Sequence, residues 1–337
     1  TIAKYYERSL RSEIARWSLT ETWDYTILDG LHAAALIDVY DSRYGKLVYR
    51  AHNVETDLWV QMARDAKNPL AKIILKIESL LFAKYERSVA NLCKLVFTVS
   101  NLDSDRFRSF LQLNKSMKNI ESKNIFHELK EKIFSLPIGF PVRKKVMPTV
   151  ICGVERGTGD HLNLLFVGSL DWLPNQQGLR WFFTEVWPEV VKRRPGAVIQ
   201  VVGSGNSSWL SQELLGSQAQ VFQNVPDLNP YYEQADLTVI PLFFGSGTRV
   251  KAIESAAFSR TFLSTQLGAE GLPFLAGEEY IQFDTAADWI RILSEIKFEE
   301  LQQKGLKLRQ SALSKFDQNE LTRIFLKELA RSIVDTP

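Results

Sequence analysis

Pro241-Leu242-Phe243-Phe244-Gly245-Ser246-Gly247-Thr248-Arg249-Val250-Lys251-Ala252-Ile253-Glu254 closes an apolar run, 237–241, and opens a stretch with helical spacing, 249–258. A buried strand, a glycine-rich turn and a helix in that order make one unit of an open parallel sheet. The turn of such a unit lies at the carboxyl end of its strand, where these sheets take their ligands. Thr248 has the chemistry of a helix cap. The free N–H groups of the first turn favour an anion, phosphate above all. Glycines at 245 and 247 let a ligand approach the backbone. Arg249 and Lys251 add two cations within a turn, although cations there oppose the helix dipole. Glu254, about a turn further on, is placed to accept from sugar or ribose hydroxyls. The plainer alternative is a strand–turn–helix with a solvated basic first turn.

The same unit recurs on both sides. Leu164-Leu165-Phe166-Val167-Gly168-Ser169 runs on to Pro174-Asn175, and Val202-Gly203-Ser204-Gly205 is a third turn of the kind. Each is weak alone; three on one sheet describe a nucleotide crevice. Strands are expected at 162–167, 198–202, 220–223, 237–241, 260–263 and 280–283. Helices are expected at 177–191, 208–215, 230–234 and 249–258, after each of the last two strands, and at 320–334. In the first half, strands are expected at 25–28, 47–50 and 95–99, and a long helix at 70–90. His52 follows the second of these strands, in Ala51-His52-Asn53-Val54-Glu55, and Asp29-Gly30 follows the first. Both fall on the ligand edge of a sheet, though a histidine satisfied by backbone is the plainer reading of His52.

The bulk numbers set bounds. The 337 residues suffice for two domains with separate cores. A net charge of +2 does not call for nucleic acid. Cys93 and Cys152 offer no zinc spacing or disulfide framework, and the four histidines show no metal motif. No protein-bound metal or other cofactor is expected, and a cytoplasmic setting is. No apolar run reaches the roughly 18 residues of a membrane span. The stretch 114–145 carries eight Lys and Arg against three Glu, 8 − 3 = +5. It is read as a solvated surface, or as a peripheral contact with anionic lipid through 115–145. Two prolines and a Gly/Thr/Asp cluster in 141–160 mark the domain boundary. The expected domains are 1–140, a linker 141–160, a second domain 161–316 and a closing helix 317–337.

These motifs resemble glycosyltransferase family 4, the retaining GT-B enzymes, and within it bacterial sugar transferases of exopolysaccharide pathways. Phe166–Leu170 with Pro174-Asn175, Gly247–Lys251 with Glu254, Ser264-Thr265 and Gly268–Leu272 carry the likeness densely. His52–Glu55 and Leu136–Phe140 carry it loosely. The resemblance implies an α/β fold of two Rossmann-like domains facing a cleft, with the closing helix returning to the first domain. It implies hexosyl transfer from a UDP- or GDP-sugar to a glycan or polyprenyl-linked acceptor, with retention and without a protein-bound metal. The donor diphosphate would lie against the turn at Gly247–Thr248 with Arg249 and Lys251, and Gly168, Ser169, Asn175, Gly203 and Gly245 would also belong to the donor-binding set. Glu254 would hold the ribose, backbone at Val225 the base, and His52 would face the donor sugar.

Two departures stand out. Many members carry two glutamates with seven residues between them; Glu254 is the second, and Ser246 stands at the first. Sugar recognition then falls to Ser246 or to the Gly245–Gly247 backbone. Where many members have an arginine and a lysine after the first strand of this domain, the chain has Ser169 and Asn175, so the phosphate charge is expected to rest on Arg249 and Lys251. The family's first domain opens with a strand and glycine-rich loop that do not precede Thr1, so an incomplete first domain is expected. A sugar-nucleotide epimerase on the same fold and a catalytically degenerate binding subunit are the rival readings.

Overall fold

The computed structural model describes residues 7–66, 68–112, 131–140, 161–211, 216, 218–245 and 249–334. The chain divides into two compact units. Thr1–Ile138 with Leu321–Pro337 falls in the first; Gly139–Phe244 with Arg249–Glu320 forms the second. The linker 141–160, Ser246, Gly247, Thr248 and most of the basic stretch 115–145 lie outside the described residues.

The first unit holds a four-stranded parallel sheet in the order β1-β2-β3-β4: β1 (Tyr25–Asp29), β2 (Lys46–Ala51), β3 (Leu95–Thr98) and β4 (Ile133–Ser135). Helix α1 (Arg8–Thr20) precedes the sheet. Helices α2 (Glu55–Asp65) and α3 (Pro69–Leu92) cross between β2 and β3, and α4 (Asn101–Gln112) follows β3. The start of α3 is written locally: Asn68 Oδ1 accepts from the amides of Leu70 (2.9 Å) and Ala71 (3.3 Å), and Pro69 fills the first turn. The start of α2 is not. Its N-cap, Val54, has no capping side chain. Buried Glu86 of α3 instead accepts from Glu55 N (3.0 Å), Thr56 N (3.0 Å) and Thr56 Oγ1 (2.6 Å). A cap supplied from thirty residues away leaves no pattern at the helix it caps, so spacing alone misses α2.

The second unit holds six parallel strands in the order β10-β9-β8-β5-β6-β7. These are β5 (Leu162–Val167), β6 (Ala197–Gly203), β7 (Ala219–Gln223), β8 (Leu237–Ile240), β9 (Phe262–Ser264) and β10 (Ile281–Gln282). Helix α5 (Leu173–Trp181) runs through a π-helical turn, Phe182–Val186, into α6 (Trp187–Arg193). It therefore begins four residues before the expected 177. Pro188 explains the π turn: proline lacks the N–H and its ring clashes with a regular helix, so the chain widens just before it. Then follow α7 (Asn229–Gln234), α8 (Val250–Ala257), α9 (Ala286–Glu295), α10 (Phe298–Lys315) and α11 (Gln318–Val334).

Three expectations are corrected. Residues 208–210 form a turn rather than the start of a helix over 208–215, whose residues 212–215 lie outside the described set. Strand β9 is followed by a single 3-10 turn, Leu267–Ala269, not a helix. Helix α8 takes Arg249 as its N-cap with no side-chain bond, so Thr248 is not its cap.

The larger core of the second unit packs Leu162, Leu164, Phe166, Phe182, Phe183, Trp187 and Trp289 between the sheet and α5, α6 and α9. Close approach is built in by glycine: a Cβ on Gly178 of α5 would lie 1.7 Å from the Pro241 carbonyl oxygen. Among the described residues no helix is long and apolar enough to cross a membrane.

Candidate functional site

Strands β5, β6 and β7 run to one side of β5, and β8, β9 and β10 to the other. The strand order therefore reverses between β5 and β8, which opens a crevice at their carboxyl ends. The turns after β5 and β6 are locked together there. Gly168 N donates to Val202 O (3.0 Å) and Leu170 N to Ser204 O (2.7 Å). A Cβ on Gly203 would stand 2.0 Å from the Gly168 carbonyl oxygen, so only glycine lets the two turns nest. A Cβ on Gly168 would meet Asn175 Nδ2 at 2.7 Å and Lys251 Nζ at 2.9 Å.

Asn175 and Lys251 come from the first turns of α5 and α8, the helices that follow the strands on either side of the reversal. Buried Asn175 donates through Nδ2 to Ser169 O (2.8 Å) and accepts through Oδ1 from Lys251 Nζ (2.9 Å). The ammonium lies 4.3 Å from the centroid of the Phe166 ring. Burial, with the Arg249 charge adding to it and Glu254 opposing, brings the Lys251 pKa down to about 7. One turn on, Glu254 accepts from the Tyr232 hydroxyl (2.8 Å). Burial raises its pKa against the opposing effects of that bond and of Lys251. Burial first, and Glu254 after it, hold the Tyr232 hydroxyl well above the usual phenol range. Tyr232 stacks on Phe258 at 5.0 Å. It had no signal in the sequence, because its partner Glu254 lies in another helix and no spacing records that pairing.

Structure separates the two cations that spacing pairs. Lys251 turns toward the Gly168 turn. Buried Arg249 instead donates from Nε (3.2 Å) and Nη2 (3.0 Å) to the Leu267 carbonyl, pinning the 3-10 turn after β9. Gly245 adopts a φ of 116°, which favours glycine. Val225 lies beyond β7 and packs beside Leu165, Val202 and Tyr232. A cavity of about 590 Å³ opens at the ends of β8, β9 and β10, lined by Leu242, Phe243, Thr265, Gln266, Glu270 and Asp284 among others.

His52 belongs to the first unit. Register places the end of β1 beside β2, Asp29 against Arg50. His52 Nε2 lies 2.7 Å from Asp29 Oδ1, and both side chains are open to solvent. Arg50 donates to the carbonyls of Leu136 and of Pro137 (3.2 Å), tying in the exit of β4.

Comparison with known proteins agrees with this geometry. Residues 161–293 match the model of the family described as "Glycosyl transferases group 1". A Klebsiella pneumoniae protein described as "Uncharacterized 44.6 kDa protein in cps region" is 23% identical over 280 residues. That match covers 80% of this chain and 64% of the Klebsiella protein, so the chain spans less than two thirds of this relative's length. Among solved structures, Anabaena Alr3699/HepE in complex with UDP and glucose superposes with a TM-score of 0.66 at 12% identity, over 95% of this chain and 80% of that one. Sucrose-phosphate synthase from Thermosynechococcus elongatus superposes with a TM-score of 0.69 at 14% identity, over 96% and 77%. The chain therefore has the α/β fold of the GT-B glycosyltransferases, with parallel sheets in Rossmann-like domains, and its second domain carries the match to glycosyl transferases group 1.

Proposed function

We propose that this chain is a glycosyltransferase that moves a hexosyl unit, with retention, from a UDP- or GDP-sugar to a glycan or polyprenyl-linked acceptor. The observation that carries the reading is the enclosed Lys251 ammonium at the strand reversal. It is held by Asn175 against the Gly168 turn, one helical turn before Glu254. A cation in that place, beside the open N–H groups of α8, suits the charge that grows on a departing diphosphate. Glu254 holds the ribose, backbone at Val225 meets the base, and His52 faces the donor sugar, with Ser246 at the sugar hydroxyls. Arg249 acts by shaping the turn at Leu267. No protein-bound metal takes part, and the work is done at the cytoplasmic face in surface-glycan synthesis, a setting that the cps-region relative supports.

The test is calorimetric titration with UDP, GDP and their sugar conjugates, with and without EDTA. Binding of one base at micromolar strength, indifferent to chelation, is expected. A folded protein that binds none of them refutes the reading, and binding abolished by EDTA refutes the metal-free mechanism.

A further inference from the structure

The first twelve residues of α3 from Leu70 present a second feature, independent of the donor reading. Leu70, Ile73, Ile74, Ile77, Leu80 and Leu81 are each more than half exposed. Their spacing, three and four residues apart, puts them in one stripe about 16 Å long. The opposite face of the same helix buries Ser79, Phe82, Glu86, Val89 and Ala90. The core side of α3 is thus already occupied, and the helix carries a second apolar side that is exposed among the described residues. A contiguous exposed apolar surface of this kind marks an interaction site.

The charges around it choose the partner. Lys76 and Lys84 are exposed along this stretch, Lys76 at the edge of the stripe. Its acids are half-buried Glu78 and Glu86, which faces inward. Lys84 stands seven residues after Ile77, on the apolar face itself. In a dry protein interface that ammonium would be buried without a partner, at a heavy desolvation cost. At a bilayer surface its long stem lies along the apolar layer and its head reaches the phosphates. An apolar face of leucine and isoleucine with lysines at its margin is the pattern of a helix lying in the lipid interface.

We propose that the Leu70–Leu81 face of α3 docks this protein on an anionic lipid surface, lying in the headgroup layer without crossing it. The test is co-sedimentation of the chain with vesicles of phosphatidylcholine alone and of phosphatidylcholine mixed with phosphatidylglycerol, across a salt series. Light scattering of the free protein runs alongside. Binding to the mixed vesicles, weakened by salt and much weaker on phosphatidylcholine alone, is expected. Ile73→Gln/Ile77→Gln/Leu81→Gln should lower it at least about tenfold, and Lys76→Glu/Lys84→Glu should lower it too. All five positions are exposed, so the circular dichroism and Tm of both variants should match the parent; if these variants unfold, Ile77→Gln alone is read instead. Absence of binding to the mixed vesicles overturns the proposal, and so does binding that the glutamine variant leaves unchanged. A dimer that the glutamine variant dissolves would assign the face to a second copy and overturn it as well.

Discussion

An ammonium enclosed against an aromatic ring and an amide oxygen, with a guanidinium two residues away, holds its proton weakly. Lys251 is in that position, with a pKa of about 7. A diphosphate arriving beside it would restore the charge, so donor binding should take up a proton. The sign follows: above pH 7 the free lysine is increasingly neutral, and affinity should fall as pH rises. Titrations in buffers of different ionisation enthalpy check this, and a binding enthalpy that ignores the buffer would refute it. Lys251→Ala should weaken donor binding by about 1.5–3 kcal/mol and remove the buffer dependence. Gly203→Ala tests the nesting of the turns. Its methyl would meet a backbone oxygen, which cannot swing away as a flexible side chain can. A stability loss of about 1–3 kcal/mol is expected, with weaker donor binding, by thermal unfolding and calorimetry.

Among the elements, α2 depends most on a partner. Its first amides are satisfied by Glu86 of α3, whose carboxyl is pushed up to about 7 by burial, against the lowering effect of the bonds from Thr56 and Glu55. A folded pKa above the usual 4.5 means that the folded state keeps a proton the unfolded chain has lost. This contribution to stability is full below about pH 4.5 and is lost as pH rises to about 7, up to about 3 kcal/mol in all. Glu86→Gln should remove that slope. It should also cost stability of about 1–3 kcal/mol near pH 7, because an amide offers the Glu55 and Thr56 donors fewer acceptors. Unfolding followed at several pH values compares the two proteins; parallel curves between pH 4.5 and 7 would show that Glu86 does not titrate there. The contrast with α3 shows what local sequence carries. Asn68-Pro69 writes the start of α3 into two adjacent residues, and its length follows from periodicity. The start of α2 is written in Glu86, nearly five turns into another helix.

Across the whole molecule, the last helix answers for the stability of the first unit. Phe325 of α11 packs on Phe97 of β3 with ring centroids 4.9 Å apart. The Tyr25 hydroxyl donates to Leu329 O (3.1 Å) and lies 2.6 Å from Ser332 Oγ. Together with Val48, Leu95 and Leu136, these residues make a core that the residues before position 139 cannot complete by themselves. Removing the chain from Leu321 onward should lower the unfolding temperature of the first unit and leave that of the second unchanged. Scanning calorimetry with two resolved transitions checks it; a loss confined to the second transition would contradict the packing described.

The amino-acid sequence determined the alternation of buried strands with amphipathic helices, hence parallel sheets, and it located the glycine turns at 168, 203 and 245. Those properties are local: burial period, backbone freedom and charge are carried by neighbouring residues. It also put Lys251 and Glu254 one turn apart, because helical spacing is a local rule. Tertiary structure alone decided which strands are adjacent, and so where the order reverses. It also set Asn175 on Lys251, gave Glu254 its Tyr232, turned Arg249 to Leu267 and paired His52 with Asp29. Each of these joins residues from different elements, and no periodicity records a contact across that distance. The shifted pKa of Lys251 belongs to the same class, since burial is a property of everything packed around a group and not of the residues beside it in the chain.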